Sequence, residues 1–115
     1  MSEFQELETS INTVWEQKDA LTDKTRILGK KTVEEIMALM NAGQLRVAEK
    51  KDGVWHVNQW VKKAILLSFR FNDNSIIPGG PGPSPWFDKV PSRFAGMDDA
   101  AFRAAGFRAV PGCFV

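Results

Sequence analysis

The chain holds one histidine, His56, and one cysteine, Cys113, too few for a zinc or haem ligand set, and no local Cys-His nucleophile pair can be built. No metal site is expected. His56 lies between Trp55 and Val57 on a stretch that reads as a strand, where a half-exposed position accounts for it without chemistry. Gly79-Gly80-Pro81-Gly82 places proline where a phosphate cradle needs amide donors, so it reads as a loop. The carboxylates Glu3, Glu6 and Glu8 crowd one N-terminal turn, where the helix dipole favours solvated negative charge.

Arginine is the remaining candidate, because its planar fork of donors can grip a carboxylate or phosphate bidentately. Arg46 and Arg70 flank hydrophobic elements and read as snorkelling or surface-paired, and Arg93 and Arg103 lie on polar stretches. Arg108 stands between Phe107 and Ala109 in an apolar terminal segment. A guanidinium enclosed by apolar residues must find an anion, in its own chain as a structural ion pair or in a ligand. By residue type and place alone, both partners remain open for Arg108.

The elements that must carry these residues can be read from periodicity. Ser2-Glu3-Phe4-Gln5 has the form of a capping box, and Phe4, Leu7, Ile11, Val14 and Trp15 make one helical stripe. Residues 19 to 31, basic and weakly periodic, are expected to connect. Thr32-Val33-Glu34-Glu35 repeats the capping pattern, opening a helix with Val33, Ile36, Met37, Leu39 and Met40 inward that stops at Asn41-Ala42-Gly43. Leu45 and Val47, the turn Lys50-Lys51-Asp52-Gly53 and Val54-Trp55-His56-Val57 predict a β-hairpin.

A third helix from Asn58 or Gln59 to about Arg70 is apolar on all sides in its second half, so it is expected to be the central and most buried element, with Trp60 and Phe69 in the core. Asn72-Asp73-Asn74 ends it. Pro78 to Pro85 must be a surface loop, since Pro lacks a donor and Gly is costly to order. Trp86-Phe87-Asp88-Lys89-Val90-Pro91 should be extended, and Asp98 or Asp99 caps a short helix ending at Gly106. Ala109 to Val115 is apolar and reads as the start of something that must be covered, by a continuing chain or by a partner.

Composition bounds the class. With 115 residues, 43% of them hydrophobic and including eight Phe and four Trp, the chain can build one real core but not two full domains. Fifteen Lys and Arg against fourteen Asp and Glu leave a net charge of +1, which disfavours a general nucleic-acid binder. No apolar run approaches the ~20 residues of a membrane span, and no signal peptide is visible. The expectation is a protein of the cytoplasm with neither nucleic acid nor membrane as partner.

The run Leu45-Arg46-Val47-Ala48-Glu49-Lys50-Lys51-Asp52-Gly53-Val54-Trp55, continued by Gln59 through Asn74, closely resembles the N-terminal domain of bacterial tetrahydrodipicolinate N-succinyltransferases. Phe87-Asp88-Lys89-Val90-Pro91 followed by Phe94, and Gly106-Phe107-Arg108-Ala109-Val110-Pro111, occur in the same order in that family. The Pro/Gly loop departs from the family's usual, more polar connection, and the segment after Pro111 is shorter than the family's entry into its first β-helix coil.

The resemblance implies a small α+β domain of about four helices with a β-hairpin, spanning residues 1–107, with residues 108–115 beginning a left-handed parallel β-helix of hexapeptide repeats that is absent here. It implies a homotrimeric acyltransferase of the diaminopimelate route to lysine, with active sites between neighbouring subunits. The reaction passes a succinyl group from succinyl-CoA, a co-substrate rather than a bound cofactor, to the dicarboxylate tetrahydrodipicolinate. The family's substrate-binding arginine of the Gly-Phe-Arg block falls on Arg108, and no catalytic residue is expected within this chain. About the first two-fifths of the family's polypeptide is present, so the chain alone should be inactive. The alternative is a stand-alone, non-catalytic binding or assembly module of the same fold.

Overall fold

The computed structural model describes residues 3–115, so the expected cap residue Ser2 lies outside the described residues. The elements run α1 (Gln5–Glu16), α2 (Asp23–Asn41), β1 (Ala48–Lys51), β2 (Val54–Val57), α3 (Gln59–Phe71), β3 (Ser75–Ile77), β4 (Trp86–Asp88) and α4 (Asp99–Ala105). They form two compact units, one ending at Asp73 and one spanning Asn74–Val115. Four helices and two small two-stranded sheets make this a small α+β arrangement.

In the first unit α1, α2 and α3 pack pairwise against one another. Ile11 and Val14 come from α1, Val33 and Ile36 from α2, and Trp60, Val61, Ala64, Leu67 and Phe71 from α3, with Leu45 completing the buried cluster. Phe4, Leu7 and Trp15 pack on its rim, as the stripe on the first helix requires. Each fully buried Ile or Leu removes enough apolar surface from water to stabilise the fold by about 1.5–3 kcal/mol.

Two expectations are corrected here. The second helix begins at Asp23, not at Thr32, so most of the expected connector is helical. The start signal is Thr22, whose hydroxyl accepts from the Thr25 amide at 3.2 Å while the Thr22 amide donates to the Thr25 hydroxyl at 2.8 Å. Thr32 is mid-helix, its hydroxyl donating to the Leu28 carbonyl at 3.1 Å. Gly29 is tolerated there because a Cβ would meet Val14 Cγ1 at 3.0 Å and Phe71 Cζ at 3.2 Å. At this residue α1 and the end of α3 close onto α2.

The third helix supplies half of the core yet is not buried on all sides. Leu66 and Phe69 are 46% and 43% exposed, so Phe69 is not a core residue whereas Trp60, at 7%, is. A single helix cannot bury its whole circumference against two neighbours, and the outward stripe keeps its apolar residues in water.

The first hairpin forms as expected, with Lys51 opposite Val54 and Ala48 opposite Val57. Asp52 and Gly53 take φ of 50° and 80°, the left-handed pair that a two-residue turn matched to strand twist demands. Asn58 ties the hairpin to α3: its amide donates to the Val47 carbonyl and its side-chain Nδ2 to the Arg46 carbonyl, both at 2.7 Å.

The second unit contains no fully buried residue among those described. β3 and β4 pair antiparallel, Ile76 opposite Phe87, and the Pro/Gly segment is the loop that joins them. Gly80 is required by a close approach, since a Cβ there would collide with the Ser84 carbonyl oxygen. In α4 the Asp98 carboxylate accepts from the Ala101 amide at 2.8 Å and Gly106 closes the helix at φ 73°, as the capping signals require.

Two substitutions test this account in urea titrations. Gly29→Val should lower the unfolding free energy by about 1–3 kcal/mol through overpacking, and Thr22→Ala by about 1 kcal/mol through loss of the cap. An unchanged midpoint for Gly29→Val would show that the helices do not close at this residue.

Candidate functional site

The second unit places Arg108 immediately after a set of local restraints. The Gly106 amide donates to the Phe102 carbonyl at 3.1 Å, ending α4. The Phe107 ring then packs against Phe94 and Phe102, with centroids 5.7 and 5.8 Å away, and Phe94 and Phe102 are themselves 5.7 Å apart. The three rings form a closed triangle. Ser92 helps fix Phe94: its hydroxyl accepts from the Phe94 amide at 3.0 Å and donates to the Val115 carbonyl at 3.1 Å.

The Arg108 side chain is exposed, not enclosed by apolar residues. No hydrogen bond or ion pair to a described residue engages it, so the intramolecular ion pair left open by the sequence does not form. Its neighbours Phe107 and Val110 are 46% and 51% exposed. The guanidinium is therefore available to an anion from outside the chain.

The other arginines divide as their surroundings suggest. Arg70 Nη1 donates to the Lys18 carbonyl at 2.6 Å and to Asp19 Oδ1 at 2.8 Å, closing the end of α1. Arg103 pairs with Asp99 at 2.7 Å, one turn away on α4. Arg46 and Arg93 are exposed on connecting segments. The Arg70 hydrogen bond and charge hold the Asp19 carboxyl below its usual range, and a hydrogen bond from Lys51, seconded by Asn58, does the same for Glu49.

His56 is exposed on β2 opposite Glu49, and Cys113 is exposed. Glu6 is solvated in the first turn of α1, while Glu8 is half-buried. No group of His, Cys, Asp or Glu able to hold a metal occurs among the described residues. None of their helices is long and apolar enough to cross a membrane.

Two concave surfaces escaped sequence reasoning because each is assembled from distant segments. A polar groove of about 460 Å³ lies among α1, the first hairpin and the start of α3, edged by Glu8, Lys51, Gln59 and Lys63. Its two ammonium groups are already engaged, Lys51 by Glu49 and Lys63 by the Asn12 side-chain oxygen, each at 2.8 Å. An apolar groove of about 710 Å³ in the second unit is lined by Ile77, Trp86, Phe87, Val90, Phe114 and Val115.

Comparison with known proteins adds to this geometry. The family model described as tetrahydrodipicolinate N-succinyltransferase N-terminal matches residues 6–71. The 2,3,4,5-tetrahydropyridine-2,6-dicarboxylate N-succinyltransferase of Methylorubrum populi is 52% identical over 112 residues, covering 97% of this chain and 40% of the relative. The proteins of the same name from Nitrobacter winogradskyi and Brucella suis are 54% and 52% identical, each alignment covering 95% of this chain and 39% of the relative. The chain thus spans about two-fifths of the length of the curated relatives it matches.

The Asp19 contact carries a signed prediction. A carboxylate whose folded pKa is depressed adds stability that is fully present above its unfolded pKa and is lost as pH falls through the folded value. Replacing Arg70 by Gln should therefore raise the Asp19 pKa toward the ordinary aspartate range, as followed by carboxyl NMR titration. It should also flatten the acid limb of stability below that range. An unmoved Asp19 titration would show that the pair does not persist in solution.

Proposed function

The chain belongs to the tetrahydrodipicolinate N-succinyltransferase family through its N-terminal region, and we propose that it is the N-terminal part of an enzyme transferring a succinyl group from succinyl-CoA to tetrahydrodipicolinate. In that reaction water hydrolyses the C=N bond of the cyclic dicarboxylate to a ketone and a free amino group, and that amino group attacks the thioester carbonyl. An amide bond forms, the thioester bond breaks, and CoA leaves as its thiol with the proton released by the amine. This is a step of the diaminopimelate route to lysine, carried out in the cytoplasm by a homotrimer whose hexapeptide-repeat β-helix follows this region.

Within that reaction the role of this chain is to grip the acceptor. Arg108 supplies a bidentate clamp for one carboxylate of the dicarboxylate, orienting the amine toward the thioester. The observation that supports this reading is the exposed guanidinium without a partner among the described residues, directly after the packed Phe107. Arg70 and Arg103, by contrast, are each held by a carboxylate of their own unit. No residue of this chain acts on the reacting bonds, and the surfaces that hold the acyl donor lie elsewhere in the complete protein.

Because positioning both substrates supplies most of the rate, the 115-residue chain should be inactive by itself. Mixing it with succinyl-CoA and the cyclic dicarboxylate should release no free thiol above background, and release above background would overturn this reading. Joined to the remaining residues of the Methylorubrum populi relative it should be active. Arg108→Ala should then lower kcat/KM for the dicarboxylate by about 10–100-fold, the scale of losing a charged hydrogen-bonded contact.

A further inference from the structure

We propose that Phe102, with Phe94 and Phe107, is a positioning element for the carboxylate clamp: the triangle of rings immobilises the backbone that carries Arg108. This rests on the reading of Arg108 given above and extends it to residues that touch no substrate.

The argument begins with what the second unit lacks. None of its described residues is fully buried, so general core packing does not hold the segment after α4. α4 itself has only seven residues, too few to be stable from backbone hydrogen bonds alone. The specific restraints are few. Asp98 caps one end of α4 and Gly106 closes the other at φ 73°. Phe107, the next residue, has its ring against Phe102 on α4 and Phe94 on the preceding segment, with all three centroid separations between 5.7 and 5.8 Å.

That geometry falls within the 4.5–7 Å range of favourable aromatic pairs, and the Phe102–Phe107 planes cross at 78°, edge to face. The rings therefore fix the residue next to Arg108 from two directions, along the chain through Gly106 and across it through Phe94. A clamp needs this, because a guanidinium grips both carboxylate oxygens only from a defined place. The rings pack these segments together side chain against side chain, and each is only partly covered or exposed. Their arrangement restrains a loop without building a core.

The test measures position and function separately. In the 115-residue chain the ¹⁵N order parameter of the Arg108 amide should lie near 0.85, fall below about 0.6 in Phe102→Ala, and stay near the starting value in Phe102→Leu. The amides of α2 and α3 should not change. A mobile Arg108 in the unmodified chain, or an unchanged order parameter in Phe102→Ala, overturns the proposal.

In the fusion with the Methylorubrum populi relative, Phe102→Ala should raise KM for the dicarboxylate about tenfold while KM for succinyl-CoA stays constant, a fraction of the ~10²-fold that an ångström of misplacement can cost. Phe102→Leu should restore it. If Arg108→Ala raises that KM and Phe102→Ala does not, the positioning role fails and the clamp stands. If Arg108→Ala leaves it unchanged, the clamp itself fails.

Discussion

The first unit depends on one close approach, the place where Val14 of α1 and Phe71 of α3 both reach Gly29 of α2. A side chain there would press on the Val14 and Phe71 side chains, 3.0–3.3 Å from its Cβ, and the buried seam of Ile11, Val33, Ile36, Val61 and Leu67 requires all three helices to remain in contact. A glycine in a helix interior costs about 1 kcal/mol relative to alanine. That cost is small beside the apolar area the three helices bury by closing around it. The Arg26 guanidinium over the Phe71 ring at 5.5 Å and its hydrogen bond to the Arg70 carbonyl lie at the same end of the seam. Packing and polar contacts there favour the same arrangement.

The second unit is organised differently. Its hydrophobic residues are abundant yet exposed: Ile76, Phe87, Phe114 and Val115 each exceed 60% of their full accessibility. Local devices take the place of burial. An antiparallel pair of three-residue strands, a loop whose Gly80 sits against the Ser84 carbonyl, a capped seven-residue helix and the phenylalanine triangle each constrain a few residues. Such a unit has low intrinsic cooperativity, since each restraint spans only short stretches of chain. Several of these residues line one groove, and clustered apolar surface of that kind ordinarily meets other protein.

Much of the fold was legible where its signals are local. The turn at Asp52-Gly53, the stripe of α1, the end of α3 near Asn72 and the caps of α4 at Asp98 and Gly106 all follow from chemistry within a few residues. The start of α2 was missed because Thr22-Asp23-Lys24-Thr25 does not have the usual acidic or amide residue three places after the cap, and because Gly29 reads as a breaker until its neighbours from α1 and α3 are known. The exposure of Phe69 was missed for a related reason. A run of apolar residues says that a helix has hydrophobic surface, not how many neighbours are present to cover it.

The candidate site shows the same division between local and distant information. Residue type and neighbours singled out Arg108, but they suggested an enclosed guanidinium in need of an internal or external anion. The structure leaves that group exposed and unpaired among described residues while restraining the backbone beside it. An arginine on a free loop would have to be ordered at the moment of binding, at a cost of up to about 1.5 kcal/mol for one flexible side chain and more for the backbone around it. Prior restraint by Phe94, Phe102 and Phe107 removes the backbone part of that cost and leaves the side chain free to meet a ligand. Neither ring spacing nor exposure can be read from Gly106-Phe107-Arg108 alone, because Phe94 joins the cluster from a segment on the far side of α4.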